Sequence, residues 1–493
     1  MELLLQIFLL IISIIIIIIF SPKKWAPRGR RKTGRHLAPA PGWRLPVIGH
    51  LHHFLTSRQP PHRLLRELSR KHGDVIRLEL GEISHVLISS AEAAMELIQA
   101  PYGDYWRQLR RVATLELLTA KRVRSLGRVR EAEVRALVRS IAVASTATAG
   151  ATIDLTRMLF SLTYRIISMS TFGDVSRGQE EFIKVAEELV EYAGGFKVAY
   201  LFPSNALVQR LSGTEEFLDG IQKVVDRLAE SMIGQHQARR AAQGGKSMSE
   251  EEEEHLLDVL LNLQENGDTL GFHLSTDAVK GFLLDIFLAG SETPAALIEW
   301  AISEMIKNPE VMYKAQSEVR RVFSEKGRVE EARISELAYL KLVIKETLRL
   351  HTPAPLVLPR ECREECHISG YHIPLKTRIL VNVWAIARDP RYWGEEAEKF
   401  LPERFLNNKV SFRGGDFEFL PFGAGRRMCP GMTFGLAAAE LTLANLLFHF
   451  DWKLPREVEA TSFNMDEKFG VTLRRENHLE LIPVIRYNPL PSI

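Results

Sequence analysis

From Leu3 to Phe20 the chain is apolar at every position but Gln6 and Ser13. Eighteen residues at a rise of about 1.5 Å reach about 27 Å, enough to cross a hydrocarbon core, so this run predicts a transmembrane helix. Glu2 precedes it, no A-x-A site directly follows it, and Lys23, Lys24, Arg28, Arg30, Arg31, Lys32 and Arg35 flank its C-terminal side. A cleaved signal peptide is the alternative; the long apolar run and the missing cleavage site stand against it. The basic flank places the rest of the chain on the cytosolic side. The pattern divides the chain into an anchor at residues 1–22, a basic hinge at 23–50 stiffened by Pro39, Pro41 and Pro46, and a body at 51–493.

Within the body, Pro61 opens a helix to about His72, at a position where its missing donor does no harm. Val75–Leu80 and Val86–Ser89 alternate as a hairpin, and Ser90 caps a helix over Ala91–Ala100. The next helix holds Trp106 and Arg110, four residues apart and so on one face. Residues 128 to about 243 are mostly helical by apolar period, and Arg239–Glu254 is a polar linker ending in a solvated glutamate run. Ser275 or Thr276 caps a long apolar helix that runs to Ile306. Pro294 inside it cannot donate to the carbonyl of Gly290, which loosens the helix there. Met432 to about Phe448 is a second apolar helix, and Pro353–Arg360 and Phe469–Leu473 read as short strands. The expectation is a single fold, mainly α with a small β part, behind one N-terminal transmembrane helix.

Composition changes this picture little. Hydrophobic residues make 46% and charged residues 25% of the 493, ordinary for a globular body. A net charge of +3 is too mild to imply a nucleic-acid partner. Three cysteines cannot make a disulfide framework, which suits a reducing compartment. Two of them, Cys362 and Cys366, stand beside His367 as C-x3-C-H; without further ligands that is a poor zinc site, and free thiols are the expectation. Arg107, Arg111, Lys121, Arg122 and Arg124 form a basic area suited to docking an acidic partner.

The third, Cys429, lies in Phe419–Glu440, FLPFGAGRRMCPGMTFGLAAAE. Its loop glycines permit positive φ and close backbone approach under a flat ligand. Amides at the start of the following helix favour a thiolate on Cys429. A cysteine thiolate is one of the few protein ligands for haem iron. Arg427 stands to meet an anionic propionate, and Phe422 to pack beside the sulfur. A buried cysteine in a glycine-rich turn is the bland alternative, but Phe422, Gly425, Arg427, Cys429 and Gly431 all fit F-x-x-G-x-R-x-C-x-G. On that pattern the sequence resembles the cytochrome P450 family over nearly the whole chain, with flanks like those of its plant microsomal branch.

The resemblance implies a haem-thiolate fold with haem b, its iron on Cys429. Ala289-Gly290-Ser291-Glu292-Thr293 resembles the family's oxygen-activating A-G-x-E-T, with Ala289 and Gly290 leaving room for dioxygen and Thr293 and Glu292 serving proton delivery. Trp106 and Arg110 resemble its propionate-holding pair, and Arg360 the group for a second propionate. Glu346 and Arg349 in an E-x-x-R, with Arg404, resemble its structural Glu–Arg–Arg network. Leu288, Ala289, Val357, Leu358 and Val471 would line an apolar substrate pocket. The implied activity is an oxidoreductase's: insertion of one atom of O2 into a hydrophobic small molecule, such as a terpenoid or other plant specialised metabolite, with water as the second product. Electrons would come from an NADPH-dependent flavin reductase in the endoplasmic reticulum membrane, where the anchor holds a cytosolic catalytic body.

One departure stands out. Only Pro101-Tyr102-Gly103-Asp104 separates Ala100 from Tyr105, where family members carry a few tens of residues including a helix that roofs the pocket. An apparent deletion near 100–101 leaves two alternatives to an ordinary monooxygenase: an inactive or poorly coupled product, and a thiolate-haem isomerase or dehydratase, which NADPH-independent turnover would reveal.

Overall fold

The computed structural model describes residues 36–98, 104–147, 150–173, 197–242, 255–265, 274–455 and 463–489, with a few positions between 181 and 192. The expected anchor at 1–22, the short link at 99–103 and the glutamate run lie outside the described residues. The chain forms two compact units, divided near Leu97, Phe196, Thr214, Leu356 and Ala385.

The first unit holds six strands, β1 (Val75–Leu80), β2 (Ile83–Ile88), β3 (Arg360–Glu361), β4 (Cys366–Ile368), β5 (Tyr371–Ile373) and β6 (Arg378–Val381). β1 and β2 pair antiparallel from Val75↔Ile88 to Leu80↔Ile83, the expected hairpin with a longer second strand. β2 then pairs parallel with β6, and β3 closes the other edge of β6. β4 and β5 form a separate hairpin, Cys366 opposite Ile373. Alternation buries Val75, Ile76, Leu78 and Leu80. The helix Pro61–His72 begins at its proline as expected and buries Leu64, Leu65 and Leu68.

The described end of the hinge is no free linker. Arg77 donates to the Pro39 carbonyl at 2.7 Å and His50 to the Glu79 carbonyl at 2.7 Å, so this stretch is stitched to β1. A Cβ on Gly49 would stand 2.1 Å from the Glu79 oxygen, so only glycine permits that approach.

The second unit is mainly helical, with Glu480–Ile485 pairing antiparallel to Ile153–Asp154 and to Phe450–Lys453 in a three-stranded sheet. Its site-bearing elements are α1 (Asp104–Arg111), α2 (Leu155–Phe172), α3 (Thr276–Lys307), α4 (Ala338–Leu350) and α5 (Met432–His449). Ser275 accepts the Ala278 amide at 3.2 Å and so starts α3, as its residue type predicts. The helix continues unbroken through Pro294. α3 and α5 are each long and apolar enough to cross a membrane, but 50% and 67% of their apolar windows are buried, so they are core helices.

Two expected strands differ. Residues 353–359 are turns and irregular chain, and only Arg360–Glu361 is a strand. Residues 469–473 connect the two-residue strands Glu467–Lys468 and Arg474–Arg475, which pair antiparallel. Apolar runs of five to eight residues carry no signal for where a turn interrupts them.

Candidate haem-thiolate site

The loop before Cys429 is shaped by its glycines. Gly423 and Gly425 have φ of +68° and +66°, a region that penalises side chains. A short 3₁₀ turn over Gly425–Arg427 then turns the chain so that the Cys429 amide donates to the Phe422 carbonyl at 2.9 Å. This closes the loop on itself, with Cys429 an exposed residue. A Cβ at Gly431 would stand 3.9 Å from the Cys429 sulfur, an ordinary contact distance.

α1 reaches the loop from more than 300 residues away: the Arg110 guanidinium donates to the carbonyl of Met428. Two opposing influences act on the thiol. The surrounding protein raises its pKa above the ordinary value, and the Gly431 amide, Arg110 and the Met432 amide pull it back down. The net direction is upward, so the amides do not by themselves make the thiolate expected from sequence; a bound metal cation does that outright.

The distal candidates sit on α3, which crosses α5 where a Cβ on Gly435 would lie 3.6 Å from the Pro294 ring. Thr293, beside that crossing, donates its hydroxyl to the Ala289 carbonyl at 2.8 Å. Gly290 is also explained by packing. A Cβ there would stand 2.6 Å from Cδ1 of Ile167 on α2, so the missing side chain is needed for helix contact as well as any space over a ligand. Glu292 is buried and forms an ion pair with Arg474, whose guanidinium also lies 4.5 Å from the Phe160 ring centre. The other Glu292 oxygen, Oε2, has no hydrogen-bond partner among the described residues. Sequence reasoning missed Arg474, because 182 residues separate the pair and no local spacing links them.

The Glu–Arg–Arg motif assembles. Glu346 and Arg349 on α4 are both fully buried, paired through Nε–Oε2 and Nη2–Oε1 contacts of 2.8 Å. Arg349 also donates to the carbonyls of Ala387 and Ala397 at 2.7 Å and of Lys399 at 3.0 Å. Arg404 Nε meets Glu346 Oε1 at 2.9 Å, and the Leu401 amide meets the same oxygen at 2.8 Å. Arg349 lies 5.1 Å from the Trp393 ring, which packs on Phe405 and Phe419. Phe412 bridges Phe419 to Phe422. An unbroken aromatic path therefore joins the network to the carbonyl that holds Cys429.

Other candidates are placed as follows. Trp106 lies on α1. Arg427 is exposed at the end of the loop turn. Leu288 and Ala289 precede Gly290 on α3, and Val471 lies in the 469–473 connection. Arg360, Val357 and Leu358 belong to the first unit; Val357 has a φ of +45°, strained for a β-branched residue, and Leu358 is 70% exposed.

Cys429 in its glycine-shaped loop, Arg110 bonded to that loop and the small-residue α3 segment with its threonine fit a haem held by one thiolate. The chain belongs to the cytochrome P450 family, whose model matches residues 39–105 and 98–480. It is similar to desmethyl-deoxy-podophyllotoxin synthase of Sinopodophyllum hexandrum, 45% identical over 96% of each chain. It is 44% identical to cytochrome P450 71D10 of Glycine max, over 96% of this chain and 97% of that one. Germacrene A hydroxylase of Saussurea costus is 42% identical, over 92% of this chain and 95% of that one. The protein is accordingly an oxidoreductase of the monooxygenase class, with haem iron as its cofactor.

Proposed function

We propose that this protein inserts one oxygen atom into a hydrophobic small molecule of plant specialised metabolism, of terpenoid or similarly apolar character. When bound, the haem supplies oxygen activation; Cys429 would hold its iron, and Arg110, Trp106 and Arg427 would meet its propionates. Thr293 holds its hydroxyl against the Ala289 carbonyl, on the helix whose Pro294 meets Gly435 of the helix that follows Cys429. Its role is to pass protons at the hydroxyl, with Glu292 as the neighbouring acid held by Arg474. The observation that carries this reading is the crossing of α3 and α5, where Pro294, next after the A-G-x-E-T segment, meets Gly435 on the helix that follows Cys429. Germacrene A hydroxylase among the relatives supports a sesquiterpene-like substrate, and Leu288, Ala289 and Val471 supply apolar surface.

Electrons come from an NADPH-dependent flavin reductase in the same membrane. The apolar run at 3–20 anchors the protein in the endoplasmic reticulum with its body in the cytosol. Exposed Trp43, Leu55, Leu207 and Leu211 in the first unit support a membrane-facing surface. The test is turnover of a sesquiterpene hydrocarbon with reductase, NADPH and ¹⁸O₂. One labelled oxygen in the product supports the reading; unlabelled, NADPH-independent product rejects it for an isomerase or dehydratase.

A second reading concerns efficiency. The family model matches in two stretches that meet at 98–105, which supports a missing segment there. Four residues span at most about 14 Å, too short for a lid helix. Low coupling follows, and inserting a family-like segment between Ala100 and Pro101 should raise it. Efficient coupling by the chain as written rejects this second reading.

A further inference from the structure

Two of the three cysteines take no part in the site, yet they meet. Cys362 Sγ and Cys366 Sγ are 3.8 Å apart, in van der Waals contact. Backbone hydrogen bonds hold both ends of this contact. Cys362 donates to the Thr377 carbonyl at 2.9 Å and accepts from the Lys376 amide at 2.8 Å. Cys366 opens β4 and pairs with Ile373 on β5. The same returning stretch, 373–377, therefore fixes both cysteines, and only Arg363, Glu364 and Glu365 loop between them. Side chains alternate across a hairpin, so the next register pair, His367 and His372, faces away from Cys366. Among the described residues no group of three His, Cys, Asp or Glu side chains is arranged for a metal, so the sulfurs face each other without a completed ligand set.

We propose that Cys362 and Cys366 are a redox modification site, a dithiol that a small oxidised thiol of the glutathione-disulfide class converts into an intramolecular disulfide. Bond formation requires the sulfurs to close from 3.8 Å to about 2.05 Å. Exposure orders the steps: Cys366 is half-buried and Cys362 is buried, so the reagent meets Cys366 first. The Cys366 thiolate attacks one sulfur of the reagent, whose S–S bond breaks; the departing thiolate takes the proton Cys366 gave up. Cys362, as thiolate, then attacks Cys366 Sγ and expels the second small thiol, which takes the Cys362 proton. Two protein thiols lose two electrons, and one small disulfide becomes two thiols. Burial, then the neighbouring Cys366, push the Cys362 thiol up to about 12 in the reduced protein. Capping Cys366 removes its thiol, and with it one of the causes that hold the Cys362 thiol up.

The experiment uses the full-length holoenzyme. It is incubated with oxidised glutathione, unfolded in a thiol-alkylating reagent and analysed by mass spectrometry. Alkylated thiols should fall from three to one, the survivor being Cys429, and digestion should yield a cross-linked peptide pair joining Cys362 to Cys366. Cys362→Ser should instead accumulate a stable glutathione adduct on Cys366, and Cys366→Ser should stay unmodified at Cys362. Three alkylated thiols in the treated wild type, a persistent adduct on wild-type Cys366, or intermolecular dimers would each overturn the proposal.

Discussion

Replacing Glu346 with alanine should destabilise the second unit severely while leaving its surface unchanged. Glu346 and Arg349 are fully buried, and the Glu346 carboxylate accepts four hydrogen bonds, from Arg349 twice, Arg404 and the Leu401 amide. Removing it strands the Arg349 charge away from water and leaves the Leu401 amide unpaired. Breaking one side of a buried pair costs about 3–5 kcal/mol. The second unit spans about 350 residues, so at about 2.1 cal/mol/K per residue its unfolding entropy is about 0.7 kcal/mol/K. The cost therefore appears as a fall of about 4–7 °C in Tm. Thermal unfolding of the haem-saturated protein, at fixed scan rate and followed by circular dichroism, measures it. A Glu346→Leu, Arg349→Met double variant, which removes both charges, should recover part of the loss. A Tm change under about 1 °C for Glu346→Ala, or strictly additive losses in the double variant, would refute the reasoning.

Three further outcomes follow from single positions. Gly290→Ala places a Cβ 2.6 Å from Cδ1 of Ile167, and this overpacking should cost about 1–3 kcal/mol; Ile167→Val in the same chain should restore Tm, and no rescue would place the strain elsewhere. Burial pushes the Glu299 carboxyl from its ordinary 4.5 to about 7, with the Thr156 hydroxyl pulling it partly back. The folded protein thus binds this proton more tightly than the unfolded chain. The stability it contributes is full below about pH 4.5 and is lost as pH rises through about 7, on the order of 3 kcal/mol. Glu299→Gln should flatten the fall in Tm between pH 5 and 8, and parallel curves for the two proteins would contradict this. Thr293→Ala should retain haem and substrate but release more peroxide per NADPH consumed, and unchanged coupling would count against its role.

Local signals were legible in the chain and distant partnerships were not. Pro61 and Ser275 start their helices because proline and serine solve a problem of unpaired amides that any sequence shows. The loop over Phe422–Gly431 and the E-x-x-R turn could be read because their residues are close in sequence. Arg474 on Glu292, Ile167 against Gly290 and Arg110 on the Met428 carbonyl each join segments more than 100 residues apart, which periodicity does not report. The hinge read as a linker from its prolines, yet its described end is bonded to β1 through backbone groups that composition leaves silent.

The central claim is that Cys429 holds haem iron as a thiolate. Its most direct test is the absorbance of the dithionite-reduced protein under carbon monoxide. The wild type should give the long-wavelength band typical of a thiolate-ligated family member, and Cys429→Ser should lose it. Survival of that band in Cys429→Ser would contradict the account.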